Sequence, residues 1–200
     1  MFSHNKELDI SGSWITKIRM KLRGLYYFTN QTLLKITIPL HLFMQQNFLV
    51  KRTAAGDNDF KFLVSCLDHE LWDELKEDQA TYDPHNKLPD IKTVVLVYFN
   101  NEPVACGCFK DLDKDTIEVK RMFVQKAYRG KGWSKKVLNE LEQWGMEKRY
   151  RFAVLETSIH FKTARRFYET NGYRIMENYG PYNGLHVSVC MKKELTIMLP

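Results

Sequence analysis

Seven consecutive residues, Tyr128-Arg129-Gly130-Lys131-Gly132-Trp133-Ser134, carry the most legible chemistry of the chain. They follow a β-branched and apolar run and open an amphipathic one, so the segment is expected to pass from a strand into the first turn of a helix. In such a turn several backbone N–H groups converge on an anion at the positive end of the helix dipole. Gly130 and Gly132 remove side chains where a phosphate must approach, and Arg129 and Lys131 add charge, with Lys126, Lys135 and Lys136 nearby. A pyrophosphate cradle suits this pattern. An ordinary solvated turn carries the same glycines, so the context of the loop decides between the two.

The elements that would position this loop can be followed along the chain. Phe48 to Thr53 reads as a first strand, and Ala55 to Asp59 as a polar break in which Asp57 or Asn58 caps a helix. Phe60, Leu63, Val64, Leu67, Leu71 and Leu75 recur at three- and four-residue intervals, which marks that helix. Asp83-Pro84 and Leu88-Pro89 punctuate a loop. Thr93 to Phe99 and Val104 to Phe109 form a hairpin about the turn residues 100–103, and a strand from Thr116 to Val124 leads into the glycine segment. Val137, Leu138, Leu141, Trp144 and Gly145 trace the helix that follows. Phe152 to Glu156 is a further strand, Lys162 to Thr170 a helix ended by Asn171-Gly172, and Tyr173 to Tyr179 with Leu185 to Met191 a closing strand pair. Strands and helices alternate in the middle with hairpins at both ends. That order argues for one α/β (α+β) domain, a mixed sheet flanked by helices.

A chain of 200 residues, 44% hydrophobic and 27% charged, has the composition of a soluble globular protein with one well-buried core. Of the net charge of +6, four charges fall within residues 1–50, where six basic residues face only Glu7 and Asp9. The remainder is nearly balanced and carries no nucleic-acid-binding motif, which argues against a nucleic-acid reader. Residues 1–47 differ in character from residues 48–200 and read as an N-terminal extension of uncertain role ahead of the compact domain. Within it Trp14, Ile18, Leu22 and Leu25 share a helical face beside Lys17, Lys21 and Arg23, a pattern compatible with contact to a membrane surface, although an accessory extension is the plainer reading. No run reaches the roughly 18 apolar residues of a spanning helix. No signal pattern precedes the four cysteines, so a reducing, cytoplasmic compartment is expected. Cys106 and Cys108 point to one face of a strand and read as buried thiols, and no metal site is expected.

With the loop placed between strand and helix, the segment resembles the acetyl-CoA signature of the GNAT N-acetyltransferase superfamily. That signature reads Arg or Gln, any two residues, Gly, any one residue, then Gly or Ala. Here it is Arg129, Gly132 and Ser134, with Ser134 standing where the pattern has Gly or Ala and small enough to cap the helix itself. The preceding Glu118 to Val124 resembles the family's central strand, and Ala164 to Tyr173 its following helix and strand entry, with Phe161 where the family often has Asn or Gln. The likeness covers roughly residues 48–195 and is closest to a small bacterial-type subgroup. It implies the GNAT fold, a mixed sheet of about six to seven strands.

The resemblance also implies roles. Acetyl-CoA would be the co-substrate, with Met122, Phe123 and Val124 pairing through their backbone with its pantetheine arm. Arg129, Gly130, Lys131, Gly132, Trp133 and Ser134 would hold its pyrophosphate. Transfer from a thioester to an amine needs a neutral amine, donors for the oxyanion and an acid for the leaving thiolate. Tyr168 stands where the family's tyrosine lies near the cofactor sulfur; the alternative is a core tyrosine. Glu118 holds a position that serves as general base in some members, and its other reading is an ion pair with Lys120 two residues along the same face. Glu156 is an alternative base or acceptor contact, and His160 a further one. Tyr179 and Tyr182, flanking a Gly-Pro turn, would wall the acceptor site. The acceptor would be a small-molecule or peptide amine attacking directly in a ternary complex. A silent CoA-binding sensor or scaffold is the alternative function, and monomer and homodimer both stand open.

Overall fold

The computed structural model describes residues 26–29, 32–35, 47–75 and 91–196. The chain divides into two compact units at Asn47. Of the first unit, the described part is an antiparallel pair, β1 (Tyr26–Thr29) and β2 (Thr32–Lys35), with Thr29 opposite Thr32. Its aromatic and β-branched residues suit strands. The helical face expected at Trp14 to Leu25 and the loop at residues 83–89 lie outside the described residues.

The second unit is built on a seven-stranded mixed sheet, in the order β3-β4-β5-β6-β7-β9-β8. Its strands are β3 (Phe48–Thr53), β4 (Val94–Phe99), β5 (Glu102–Asp111), β6 (Thr116–Val124), β7 (Phe152–Ser158), β8 (Arg174–Met176) and β9 (Ser188–Glu194). Only the β6–β7 pairing is parallel; the others are antiparallel. Among the described residues three helices complete it: α1 (Asn58–Leu75), α2 (Trp133–Glu147) and α3 (Lys162–Thr170).

Alternation along the strands sorts the core onto two faces. Val95, Val97, Ile117 and Val119 pack with Val137, Leu138 and Leu141 of α2. Val94, Leu96, Cys106 and Cys108 pack with Phe60 and Leu63 of α1. Ala164, Phe167 and Tyr168 of α3 join the α2 side. Both cysteines are fully buried on the α1 face, as their spacing predicts, and burial pushes the Cys108 thiol up to about 12. Asp57 caps α1, its Oδ1 accepting the Asp59 N–H at 2.9 Å.

The closing strands differ from the sequence expectation. The expected Tyr173–Tyr179 strand is only Arg174–Met176, and the last strand begins at Ser188 rather than Leu185. Asn178 accounts for this. Its Nδ2 donates to the carbonyls of Leu185 (3.1 Å) and Ser188 (3.3 Å), and its Oδ1 accepts the Cys190 N–H (3.3 Å), replacing ladder bonds with a side-chain clasp around the 180–182 turn. β9 then continues to Glu194 because it lies between β7 and β8 and pairs with β7 as far as Phe152.

Candidate active site

The parallel register between β6 and β7 covers only Thr116–Glu118 against Phe152–Val154. Beyond it β6 runs on to Val124 along β5, and β7 runs on to Ser158 along β9. The two strands therefore part, leaving facing edges whose backbone groups have no partner in each other. Such an edge can take an extended amide chain as a short extra strand.

A bulge shapes one lip of the opening. Cys106 pairs with Phe123 and Cys108 with Lys120, so Arg121 and Met122 together oppose Gly107, and Arg121 takes φ 56°. Room for the bulge comes from Gly107, since a Cβ there would lie 2.6 Å from Met122 Sδ and 2.8 Å from Val137 Cγ1.

A cavity of about 730 Å³ occupies the opening, within the range of cofactor sites. One side is lined by Met122, Phe123, Val124, Arg129, Gly130 and Ser134, the other by Lys120, Glu156, His160, Phe161 and Tyr168. Leu67, Glu70, Leu71 and Glu74 of α1 close it from above the sheet. Trp133 lines it too, but its ring is buried against Phe99 and Phe48, so its backbone is what it offers a ligand.

After a single 3-10 turn (Lys126–Tyr128), Gly130 and Gly132 adopt φ of 75° and 82°, and α2 begins at Trp133. Gly132 is the N-cap and offers the first N–H groups of the helix no side-chain cap. The expectation that Ser134 caps α2 is corrected: it lies inside the first turn, where its N–H joins the orphan donors. A Cβ at either glycine would meet nothing within 4 Å. Open space, positive φ and unsatisfied donors together make a cradle that fits a pyrophosphate.

The loop's charges sit differently from expectation. Arg129 donates through Nε to the Val124 carbonyl at 2.9 Å and through Nη2 to Glu70 at 2.6 Å. Lys131 turns to the Ala127 carbonyl at 3.2 Å and over the Tyr128 ring, and neither it nor Gly132 lines the cavity wall.

Glu118 is also found away from the cavity wall. It is 2% exposed; Lys110 Nζ lies 2.9 Å from its Oε2, while Lys120 Nζ (3.1 Å) and the Tyr182 hydroxyl (3.0 Å) donate to its Oε1. Burial alone would raise its pKa, but the two lysines overcome that and hold it below the ordinary carboxylate value. The ion pair with Lys120 is thus present. Tyr179 and Tyr182 surround this carboxylate rather than the cavity, and burial followed by the Glu118 charge pushes both phenols up.

Glu156 has the opposite setting. It lines the cavity, its Oε1 is buried with no hydrogen-bond partner, and burial pushes its carboxyl up, with Ser188 and Lys120 pulling the other way. Tyr168 lines the same cavity at 8% exposure; burial, then the neighbouring Glu156 charge, pushes its phenol up, so it stays protonated. A neutral phenol beside a carboxylate of raised pKa can give one proton and take another. Sequence reasoning missed the part of α1, although Leu67, Glu70, Leu71 and Glu74 lie one turn apart and could have been read as one helical stripe. Among the described residues no group of three or more His, Cys, Asp or Glu side chains could hold a metal ion, and no helix is long and apolar enough to cross a membrane.

A mixed sheet split between two parallel strands, with a glycine cradle at one end of the split, defines an acyl-CoA-binding fold. The model of the acetyltransferase (GNAT) family matches residues 60–173, and the chain belongs to that family. Acetyltransferases of that family use acetyl-CoA as co-substrate. The chain is 32% identical over 97 residues to the uncharacterized N-acetyltransferase YsnE of Bacillus subtilis (strain 168), a match covering 48% of this chain and 64%, just under two thirds, of that protein. It is 31% identical over 108 residues to the IAA acetyltransferase of Azospirillum brasilense, covering 54% of this chain and 70% of that one. Among solved structures, a Klebsiella pneumoniae protein described as an acyl-CoA N-acyltransferase superposes with a TM-score of 0.61 at 28% identity, over 74% of this chain and 98% of the other.

Proposed function

We propose that this protein transfers the acetyl group of acetyl-CoA to a primary amine by direct attack within a ternary complex. One observation carries the reading: a single cavity joins the glycine cradle to Tyr168 and Glu156. The thioester supplies the activated acyl group. Residues 122–124 and the α2 N-terminus bind its pantetheine and pyrophosphate, and backbone N–H groups at the β6 edge near Val124 face the acyl oxygen. Glu156 takes the proton from the acceptor ammonium, freeing the lone pair that attacks the carbonyl carbon. As the tetrahedral centre collapses, the C–S bond breaks, Tyr168 gives its proton to the thiolate, and the phenolate so formed takes the second proton that the attacking nitrogen must lose to become an amide.

Glu156 is preferred to Glu118 as base because Glu118 already holds two ammonium groups and a hydroxyl, and its lowered pKa makes it the weaker base. Tyr179 and Tyr182 then support that carboxylate from behind instead of walling the acceptor.

The test is an acetyl-CoA-dependent screen of a primary-amine library, read by thiol release and by mass of the acetylated product. Turnover with at least one amine, abolished by omission of acetyl-CoA, is the expected result. CoA binding without turnover across amines of small-molecule and peptide type would replace the enzyme with a silent CoA-binding domain.

A further inference from the structure

The polar cluster beside the cavity holds more positive than negative charge. One carboxylate, Glu118, takes both Lys110 at 2.9 Å and Lys120 at 3.1 Å. Lys110 is half-exposed, whereas the Lys120 side chain is only 9% exposed and reaches the cavity wall. The Tyr182 hydroxyl fixes Lys120 from a third side, accepting from its Nζ at 2.8 Å while donating to Glu118.

Strand register says what this ammonium faces. Glu118 and Val154 are the last paired residues of β6 and β7. Two residues further on each strand, Lys120 and Glu156 fall on the same face at matching positions on either side of the opening. We propose that Lys120 is a positioning residue for acetyl transfer: clamped by Glu118 and Tyr182, it turns the cluster's surplus positive charge toward Glu156 and keeps that carboxylate ionised at neutral pH. The inference rests on the reading of Glu156 as the base.

Glu156 is half-buried with its Oε1 shielded from solvent, and the groups around it can be named by element. Glu118 and Lys120 come from β6, with Lys110 of β5 behind them. Ser188 and Cys190 come from β9, with Cys190 directly opposite in register. Tyr168 comes from α3 and Tyr182 from the 180–182 turn. Glu70 and Glu74 of α1, with His160 and Lys162, line the shared cavity, and Arg121 and Arg129 are engaged by Asp68 and Glu70. Of the basic groups, Lys120 is the one whose charge bears on Glu156, offsetting burial and the like charge of Glu118. A base buried without that offset would hold its proton at the pH where it must accept one.

The full-length protein labelled with carboxyl-¹³C glutamate tests this directly. The Glu156 signal is assigned by its loss in Glu156→Gln, and its titration midpoint is followed by NMR. A nearby cation favours the ionised form, so Lys120→Met should raise the midpoint by roughly one pH unit. Lys120→Arg, which keeps the charge, should restore it. Removing the like charge in Glu118→Gln should move the midpoint the opposite way, downward. A merely structural Lys120 would not produce shifts of opposite sign. An unmoved midpoint in Lys120→Met overturns the proposal; if that variant does not fold, an unmoved or raised midpoint in Glu118→Gln does so. These outcomes leave the proposed function untouched. Moved midpoints in a protein whose Glu156→Gln form transfers acetyl groups at the parent rate would overturn the base assignment instead, and with it any part for Lys120 in the transfer.

Discussion

The two ends of the cavity are made of different materials. At the glycine loop the binding groups are backbone: orphan N–H donors of α2, a strand edge left open by the β6–β7 split, and two glycines with open space above them. At the opposite end they are side chains, Lys120, Glu156 and Tyr168 at the wall with Glu118 and Tyr182 behind Lys120, brought together from four elements. A backbone cradle recognises the part of a ligand common to all acyl-CoA donors. A side-chain cluster can be altered residue by residue, so the acceptor end is where chemistry and selectivity can be tuned.

If this division holds, substitutions at one end should leave the other unaffected. The largest effects belong to the acceptor end. Tyr168→Phe keeps the ring in the core and removes the donor, so kcat should fall roughly 10²-fold or more while CoA affinity by calorimetry hardly changes. Glu156→Gln should cost a similar factor near neutral pH, with partial recovery at higher pH as more of the amine is already neutral. A loss of CoA binding in either variant would break the comparison.

The next effect tests the cradle. Gly132→Glu imposes a side chain on a residue with φ 82°, costing about 1 kcal/mol of stability, and sets a carboxylate beside the α2 N-terminus. CoA affinity should fall by about tenfold or more, and kcat at saturating acetyl-CoA should stay within about threefold of the parent. Arg129→Ala should be milder still. Its guanidinium already serves Glu70 and the Val124 carbonyl, so the N–H groups remain in place and CoA affinity should change by less than about fivefold by calorimetry.

The smallest effect concerns acid. Glu118 is held below its ordinary value of 4.5, so its ion pairs stabilise the fold above that pH and the contribution is lost as pH falls through the lowered value. Thermal melting should therefore show the parent losing Tm faster than Glu118→Gln as pH drops below 4.5. Parallel curves would mean that Glu118 contributes no pH-dependent stability.

The same division separates what was legible in the sequence from what was not. Gly130, Gly132 and the strand and helix around them are local, so their order along the chain already specifies the cradle. The cap at Asp57 and the single-faced Cys106 and Cys108 are local in the same sense. The Glu118–Lys120 pair could be read from strand periodicity, but its Tyr182 partner is 64 residues from Glu118 and follows from the Asn178 clasp. Arg129 was expected at the phosphate, and its Glu70 partner lies 59 residues away on α1. Where Glu118 and Glu156 face depends on the point at which two parallel strands separate, which no pattern within either strand encodes.

The bulge at Arg121 and Met122 acts as a reading-frame change in the folded chain. Before it the even-numbered residues of β6, Glu118 and Lys120, face α1; after it Phe123 takes that side and Met122 and Val124 turn to α2. One extra residue thus lets one side of a single strand carry charge along its first half and an apolar ring along its second without ending its pairing with β5. Deleting it would restore a regular ladder and, in the same stroke, turn over every side chain on one half of the strand, the half that meets the cofactor.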